Sequence, residues 1–236
     1  MLGMTSSGLL GIHLWTELDE RHATLVVPLG AIEQHGPHLP LDTDIRIATA
    51  VAEAAAPRFG GLIAPGLSYG ASGEHEGFPG TISLGHDALT VLLLEYGRSA
   101  CRWAHRLLFV NGHGGNVRTL RAAVAKLRQE GRDVAWIACA ATEYDAHAGH
   151  AETSLLMHIA PLTVRTENLE PGNTTPVAQL MKSMVVGGVG AVSANGVLGD
   201  PMTASPAVGR QMFESLTDQV VAAVQNWQPD VQGRLQ

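Results

Sequence analysis

The sequence predicts an α/β protein: a mainly parallel β-sheet covered by helices on both faces. Two observations lead there. Short apolar segments of strand type alternate with longer segments of helical periodicity along most of the chain. The chain has 236 residues, 45% of them hydrophobic and 16% charged, enough to build a large core.

The elements read as follows. Leu25–Leu29 is a buried strand closed by Gly30. Asp44–Ala56 is alanine-rich and helical, and Pro57 ends it. Gly61–Ala64 is a short strand stopped by Pro65, and Gly66–Gly85 is a long loop of Gly, Ser and Pro. Asp87–Trp103 is a helix with Leu89, Leu92, Leu93, Tyr96, Ala100 and Trp103 on one face. Leu107–Val110 is a second buried strand. Asn116–Gln129 is a helix, with Asn116 as its expected N-cap and Gly131 as its stop. Val134–Ala138 is a strand, Ala151–Ile159 a short helix before Pro161, and Arg210–Trp227 a final amphipathic helix. Residues 165–205, rich in Gly, Pro, Asn and Thr, give no clear pattern. The whole chain, 1–236, reads as one domain.

Charge and composition narrow the function. The net charge is −7 with histidines neutral and no Lys/Arg run stands out, which argues against nucleic acid as a partner. No apolar stretch has the length of a membrane span, so no membrane partner is expected. The N-terminal residues lack a basic segment and do not read as a signal peptide. Cys101 and Cys139 lie far apart in apolar contexts, as reduced thiols of a cytoplasmic protein would.

Eleven histidines is a high count, and most of the informative ones sit beside acids and glycines. The densest run is Glu33-Gln-His35-Gly-Pro-His38-Leu-Pro-Leu-Asp42-Thr-Asp44, directly after the first strand. Three more clusters follow. They are Gly73-Glu74-His75-Glu76-Gly77 in the long loop, Asn111-Gly112-His113-Gly114-Gly115-Asn116 after the second buried strand, and Asp145-Ala-His147-Ala-Gly149-His150-Ala-Glu152. In a parallel sheet, loops at the carboxyl ends of strands share one edge. That edge can gather Glu33, His35, Asp44, His113 and Glu152 around one point. Five oxygen and nitrogen ligands exceed the needs of one tetrahedral ion and suit two ions, with Asp44 as a carboxylate able to bridge them.

Structural readings stand beside these. Asp42 can be a turn residue, and Asp44 can merely cap its helix. His13, His22, His86, His105 and His158 lie outside any cluster and read as ordinary surface or core residues. His38, Glu143 and Asp145 are open between the two readings.

The segments Gly30-Ala-Ile-Glu33-Gln-His35-Gly-Pro-His-Leu-Pro-Leu-Asp-Thr-Asp44, Glu74-His75-Glu76-Gly-Phe-Pro-Gly-Thr-Ile-Ser83, Asn111-Gly-His113-Gly-Gly-Asn116 and His147-Ala-Gly-His-Ala-Glu152-Thr-Ser154 together resemble the creatininase (creatinine amidohydrolase) family. They cover most of residues 25–160 in the family's order. The resemblance implies a three-layer α/β/α fold and a hydrolytic site with two divalent metal ions: zinc, iron or manganese. By resemblance, Glu33, Asp44 and His113 hold one ion, and His35 and Asp44 the other. Creatininase proper carries a glutamate ligand two residues after the histidine of the third segment, where this chain has Gly115. Glu152 is then expected to complete the second ion's shell. The stretches Glu170-Pro-Gly-Asn-Thr-Thr-Pro-Val and Gly190-Ala-Val-Ser-Ala-Asn-Gly-Val-Leu-Gly-Asp-Pro201 resemble the mycofactocin-maturation peptidase branch of the family. That branch removes a modified C-terminal Val-Tyr unit from a small precursor peptide.

The expected chemistry is hydrolysis of an amide by water activated between two divalent ions. His147 would pass a proton to the leaving amine, and Glu152 would ligate an ion or orient the water. Glu74 and His75 would line the pocket or orient the ligands. A small modified precursor peptide is the expected substrate, and a homo-oligomer is expected from the resemblance. Alternatives are creatinine or formamide hydrolysis within the family, and a non-catalytic metal-binding protein.

Overall fold

Strand β1 (Thr24–Leu29) organises the sheet. It pairs in parallel with β2 (Leu62–Ile63) on one side and β3 (Arg106–Asn111) on the other, and β4 (Val134–Ala138) pairs in parallel beyond β3. The order is β2-β1-β3-β4. The computed structural model describes residues 8–18, 24–139 and 145–236. His22 and Glu143 lie outside that range, as does the start of the N-terminal segment.

Pro28 sits inside the central strand, where a missing N–H should break a ladder. It is tolerated because β2 stops at Ile63. The Pro28 carbonyl, on the β2 flank, accepts from the Leu67 N–H at 2.9 Å, and the absent N–H faces the same flank past the end of β2.

Side chains alternate across the sheet, and both faces are covered. Val26, Leu108, Val110, Ala135 and Ile137 pack on one face against helices α1 (Thr43–Ala55), α4 (His150–Ile159) and α6 (Pro206–Asn226). Leu25, Val27, Leu107, Phe109, Val134 and Trp136 pack on the other against α2 (Gly85–Ala100) and α3 (Val117–Gln129). This is the expected three-layer α/β/α arrangement. Burial on both faces explains why the strands are apolar at nearly every position.

The helices follow their apolar stripes. In α1, Ile47, Ala48, Val51, Ala52 and Ala55 are all buried, one face of a 3.6-residue repeat. Pro57 tightens its end into a 3₁₀ turn, and Gly60 takes up φ 70° after it. The last helix starts at Pro206, four residues earlier than its periodicity indicated. Ser205 accepts from the Val208 N–H, and Pro206 occupies the first turn, the ordinary chemistry of a helix start.

The structure fills one gap in the sequence reading and corrects one expectation. The region 165–205 contains a regular helix, α5 (Val177–Gly187), with no buried residue. Its apolar residues Val177, Leu180, Met181, Met184 and Val185 recur at helical spacing, but none of them is buried. Asn116 does not cap α3 with its side chain. Its carboxamide instead accepts from Ala71 N at 2.9 Å and donates to Gly30 O at 3.0 Å and Asn111 Oδ1 at 3.2 Å. It thereby ties the ends of β1 and β3 to the long loop. Among the described residues, no helix is long and apolar enough to cross a membrane.

Phe109 is fully buried between β3 and the α2/α3 layer. Phe109→Ala is expected to lower unfolding free energy by about 3–5 kcal/mol, read from urea denaturation. A loss below about 1 kcal/mol would contradict this packing.

Candidate functional site

The register of the sheet sets the site. Leu29 and Asn111 are paired partners at the ends of β1 and β3, so the chain leaves both strands side by side. The connection from β1 crosses one face to β2 while that from β2 crosses the other to β3, which makes the β1/β3 edge the switch point of the sheet. Glu33 and His35 lie just past β1, and His113 just past β3. α1 brings in Asp44 from its first turn. That approach is close: a Cβ on Gly112 would stand 2.4 Å from the Asp44 carbonyl oxygen, so only glycine fits there.

Asp44 is at the centre. Its Oδ1 lies 3.0 Å from His35 Nε2, and its Oδ2 lies 3.1 Å from His113 Nδ1. Each histidine turns its other nitrogen to a backbone carbonyl: His35 Nδ1 donates to Glu33 O at 3.1 Å, and His113 Nε2 to Ala71 O at 2.9 Å. Such N–H anchors fix the rings and aim the remaining nitrogens at Asp44. Glu33 stands behind, with His113 Nε2 at 3.3 Å from Oε2, and His75 Nε2 at 3.4 Å and His147 Nδ1 at 3.7 Å from Oε1. Glu152, in the first turn of α4, places Oε2 3.8 Å from His35 Nε2 and accepts from Ala148 N at 2.6 Å.

The electrostatics are those of charges packed without water. Burial raises the Glu33 carboxyl above its usual range, although His113 opposes this. Burial also raises Glu152, with His35 opposing it. At Asp44 burial pulls upward, but the His35 and His113 imidazoles hold the carboxyl well below the ordinary range. His35 and His113 are both pushed up to about 10: burial works against the charged form, and the Asp44 and Glu33 carboxylates outweigh it. His75 falls to about 3 through burial and the neighbouring His113 and His35 charges. His147 falls well below its normal value, by burial and then by His35 and His75.

Both Glu33 oxygens and Asp44 Oδ2 are buried and make no hydrogen bond. Orphaned anionic oxygens in a dry interior are costly unless a cation completes them. Glu33, His35 and Asp44 present ligand atoms within 4.8 Å of one another; so do His35, His147 and Glu152. A mixed set of carboxylates and imidazoles fits zinc, manganese or iron.

The structure thus brings all eight expected residues, Glu33, His35, Asp44, Glu74, His75, His113, His147 and Glu152, to one place. Glu74 is peripheral, with Oε1 4.0 Å from His113 Nε2. The other candidates are structural. Asp42 pairs with Arg46 near the surface, and Asp145 accepts from the His150 and Ala151 amides at the start of α4. His38 is buried and meets Thr153 Oγ1 at 2.9 Å, tying the first loop to α4. Sequence reasoning passed over Gln34, whose amide touches both His75 and His147. The only signal was its place inside the ligand run.

Gly115 has a steric reason. A Cβ there would lie 2.3 Å from Ala71 O, 2.4 Å from His113 Nε2 and 2.8 Å from Glu74 Oε1. Gly115→Ala is therefore expected to displace the His113 ring and to cost about 1–3 kcal/mol. Unaltered stability, with unaltered His113 ring signals in NMR spectra, would sink the packing argument.

Known proteins resemble this chain in sequence and fold. The family model described as creatinine amidohydrolase matches residues 14–224. The chain is 54% identical over 237 aligned positions to the mycofactocin precursor peptide peptidase of Mycobacterium ulcerans, covering 97% of this chain and 95% of that one. It resembles a solved mutant creatininase of Zn-Zn type at TM-score 0.77 and 28% identity, over 92% of this chain and 97% of that one. A solved manganese creatininase aligns at TM-score 0.78 and 28% identity, over 93% and 98%. Fold and sequence agree, and the chain belongs to the creatininase family.

Proposed function

We propose that this chain is a metal-dependent peptidase that releases the modified C-terminal Val-Tyr unit of the mycofactocin precursor peptide. The observation that carries the metal dependence is the trio of buried, unbonded oxygens on Glu33 and Asp44, ringed by imidazoles. Identity of 54% over nearly the whole of a peptidase with that substrate supports the choice of peptide. Gly115, where creatininase proper has a ligand, weighs against creatinine.

In this reading Glu33, Asp44 and His113 would hold one divalent ion, and His35, Asp44 and Glu152 would hold the other. Bound there, the ions supply Lewis acidity, lowering the pKa of water and stabilising the oxyanion of the attacked amide. The residues of the chain do the rest. Asp44 offers one oxygen to each side, since its two oxygens already face different histidines. His147 is buried and neutral, with Nδ1 facing the centre, so it can take a proton from water and return it to the leaving amine. Glu152 is more exposed than Asp44 and stands at the open side, where it can orient water. Glu74, about a third exposed, borders the entrance.

Metal loading should be proton-coupled. His35 and His113 carry protons at neutral pH when no ion is present, and ligation requires them neutral. Affinity should therefore rise with pH until about 10, and loading at pH 7 should release about three protons, two from His35 and His113 and the rest from Glu33 and Glu152, which burial raises to about 7. Calorimetry of zinc binding in buffers of different ionisation enthalpy checks this; release of none would contradict it.

Activity is tested on chelator-stripped protein reloaded with zinc, iron or manganese. The modified precursor peptide is the substrate, and mass spectrometry follows loss of the dipeptide. His113→Ala should abolish metal-dependent turnover. His147→Ala should lower kcat by about 10²–10⁴-fold with metal content intact. Turnover that survives both chelation and His113→Ala would end the proposal; stoichiometric metal with no turnover on any amide would make the chain a metal-binding protein only.

A further inference from the structure

We propose that Gln34 fixes the tautomers of the two histidines flanking Glu33, so that His75 presents an N–H to that carboxylate and His147 presents a lone pair. Gln34 is in this sense a positioning residue. The proposal rests on the reading of this centre as an amide-hydrolysing site and assigns the two histidines different duties within it.

The argument is one of donors and acceptors. Gln34 Oε1 accepts from the Gly36 N–H at 2.9 Å, which settles which end of the amide is oxygen. The amide nitrogen then has two protons and three neighbours: Gly196 O at 3.0 Å, His75 Nδ1 at 2.8 Å and His147 Nε2 at 3.0 Å. Gly196 O can only accept, so it takes one proton. His147 Nε2 also lies 2.7 Å from the backbone carbonyl oxygen of Gln34. A carbonyl cannot donate, so that contact requires a proton on Nε2, and this nitrogen cannot accept from the amide. The second amide proton therefore goes to His75 Nδ1.

Both rings are thereby determined. His75 is unprotonated at Nδ1 and carries its proton on Nε2, 3.4 Å from Glu33 Oε1. His147 carries its proton on Nε2 and turns an unprotonated Nδ1 toward the same oxygen at 3.7 Å. The two rings stand 4.4 Å apart and look equivalent by residue type. Glu33, His75 and His147 are close enough together to hold an ion. The tautomer removes His75 from that role, because a ligand nitrogen must offer a lone pair. It turns its N–H toward Glu33 at 3.4 Å, an electrostatic support without a hydrogen bond, while His147 keeps the nitrogen able to accept a proton from the reacting water. The device joins two distant segments, since Gly196 belongs to the stretch whose sequence gave no pattern, and Leu198 in that stretch pairs its backbone with His147.

The test uses full-length, zinc-loaded protein labelled with ¹⁵N-histidine, with long-range ¹H–¹⁵N spectra reporting which ring nitrogen is protonated. His75 and His147 should both show protonated Nε2 and unprotonated Nδ1. Gln34→Glu replaces the amide donor with an acceptor and should move the His75 proton to Nδ1. His147, held by the backbone carbonyl of residue 34, should keep its tautomer. The expected kinetic effect is a kcat lower by about 10–100-fold with little change in KM. Should Gln34→Glu fail to fold, Gln34→Met serves: it removes the donor and should leave His75 as a mixture of tautomers. A protonated His75 Nδ1 in the wild type, or a His75 signature unchanged in the variants, overturns the proposal. The spectra are read without substrate, so this failure is distinct from failure of the peptidase reading.

Discussion

Two carboxylates, Glu33 and Asp44, are buried to within 1% of complete exclusion from solvent, and most of the local structure answers that fact. A lone buried carboxylate costs several kcal/mol unless it is paired or bound to a cation. Here the pairing is done by imidazoles, each anchored through its far nitrogen to a backbone carbonyl or a side-chain amide. The same arrangement leaves three anionic oxygens unbonded and points them at one another's neighbourhood. A group of oxygens and nitrogens so placed suits a cation among them.

The fold makes this concentration of charge affordable by drawing the ligands from separate segments. β1 and β3 end in register, α1 arrives across Gly112, and α4 contributes its first turn. The long loop 66–85 adds His75, and the carbonyl of Ala71 that anchors His113. Asn116 ties that loop to the strand ends with three hydrogen bonds. The C-terminal stretch closes the back through the Gly196 carbonyl and the Leu198 backbone.

Much of this was legible beforehand. The strands β1, β3 and β4 were placed to within a residue or two because burial on both faces leaves short runs of Leu, Val and Ile. The ligand-type residues stood out because acids and histidines beside glycines, after strands, have few other uses. Three things escaped. α5 has helical spacing at Val177, Leu180, Met181, Met184 and Val185, but it sits in a stretch of Gly, Pro, Asn and Thr that reads as irregular. The start of α6 was obscured because its first turn is marked by Ser205 and Pro206, not by apolar spacing. Asn116 read as a cap because asparagine favours helix starts, and only the neighbouring loops show its side chain engaged elsewhere.

By itself the sequence determined the layer order, the edge of the sheet that carries the chemistry, and the residue types gathered there. Those follow from local periodicity and from the rule that parallel strands end on one side. Tertiary structure alone decided how the gathered groups divide their work. Which nitrogen of His113 faces Asp44, why residue 115 must be glycine, and what Gln34 does between His75 and His147 all depend on contacts between distant segments of the chain. A protonation pattern is a property of a hydrogen-bond network, and no single segment of this chain contains the network.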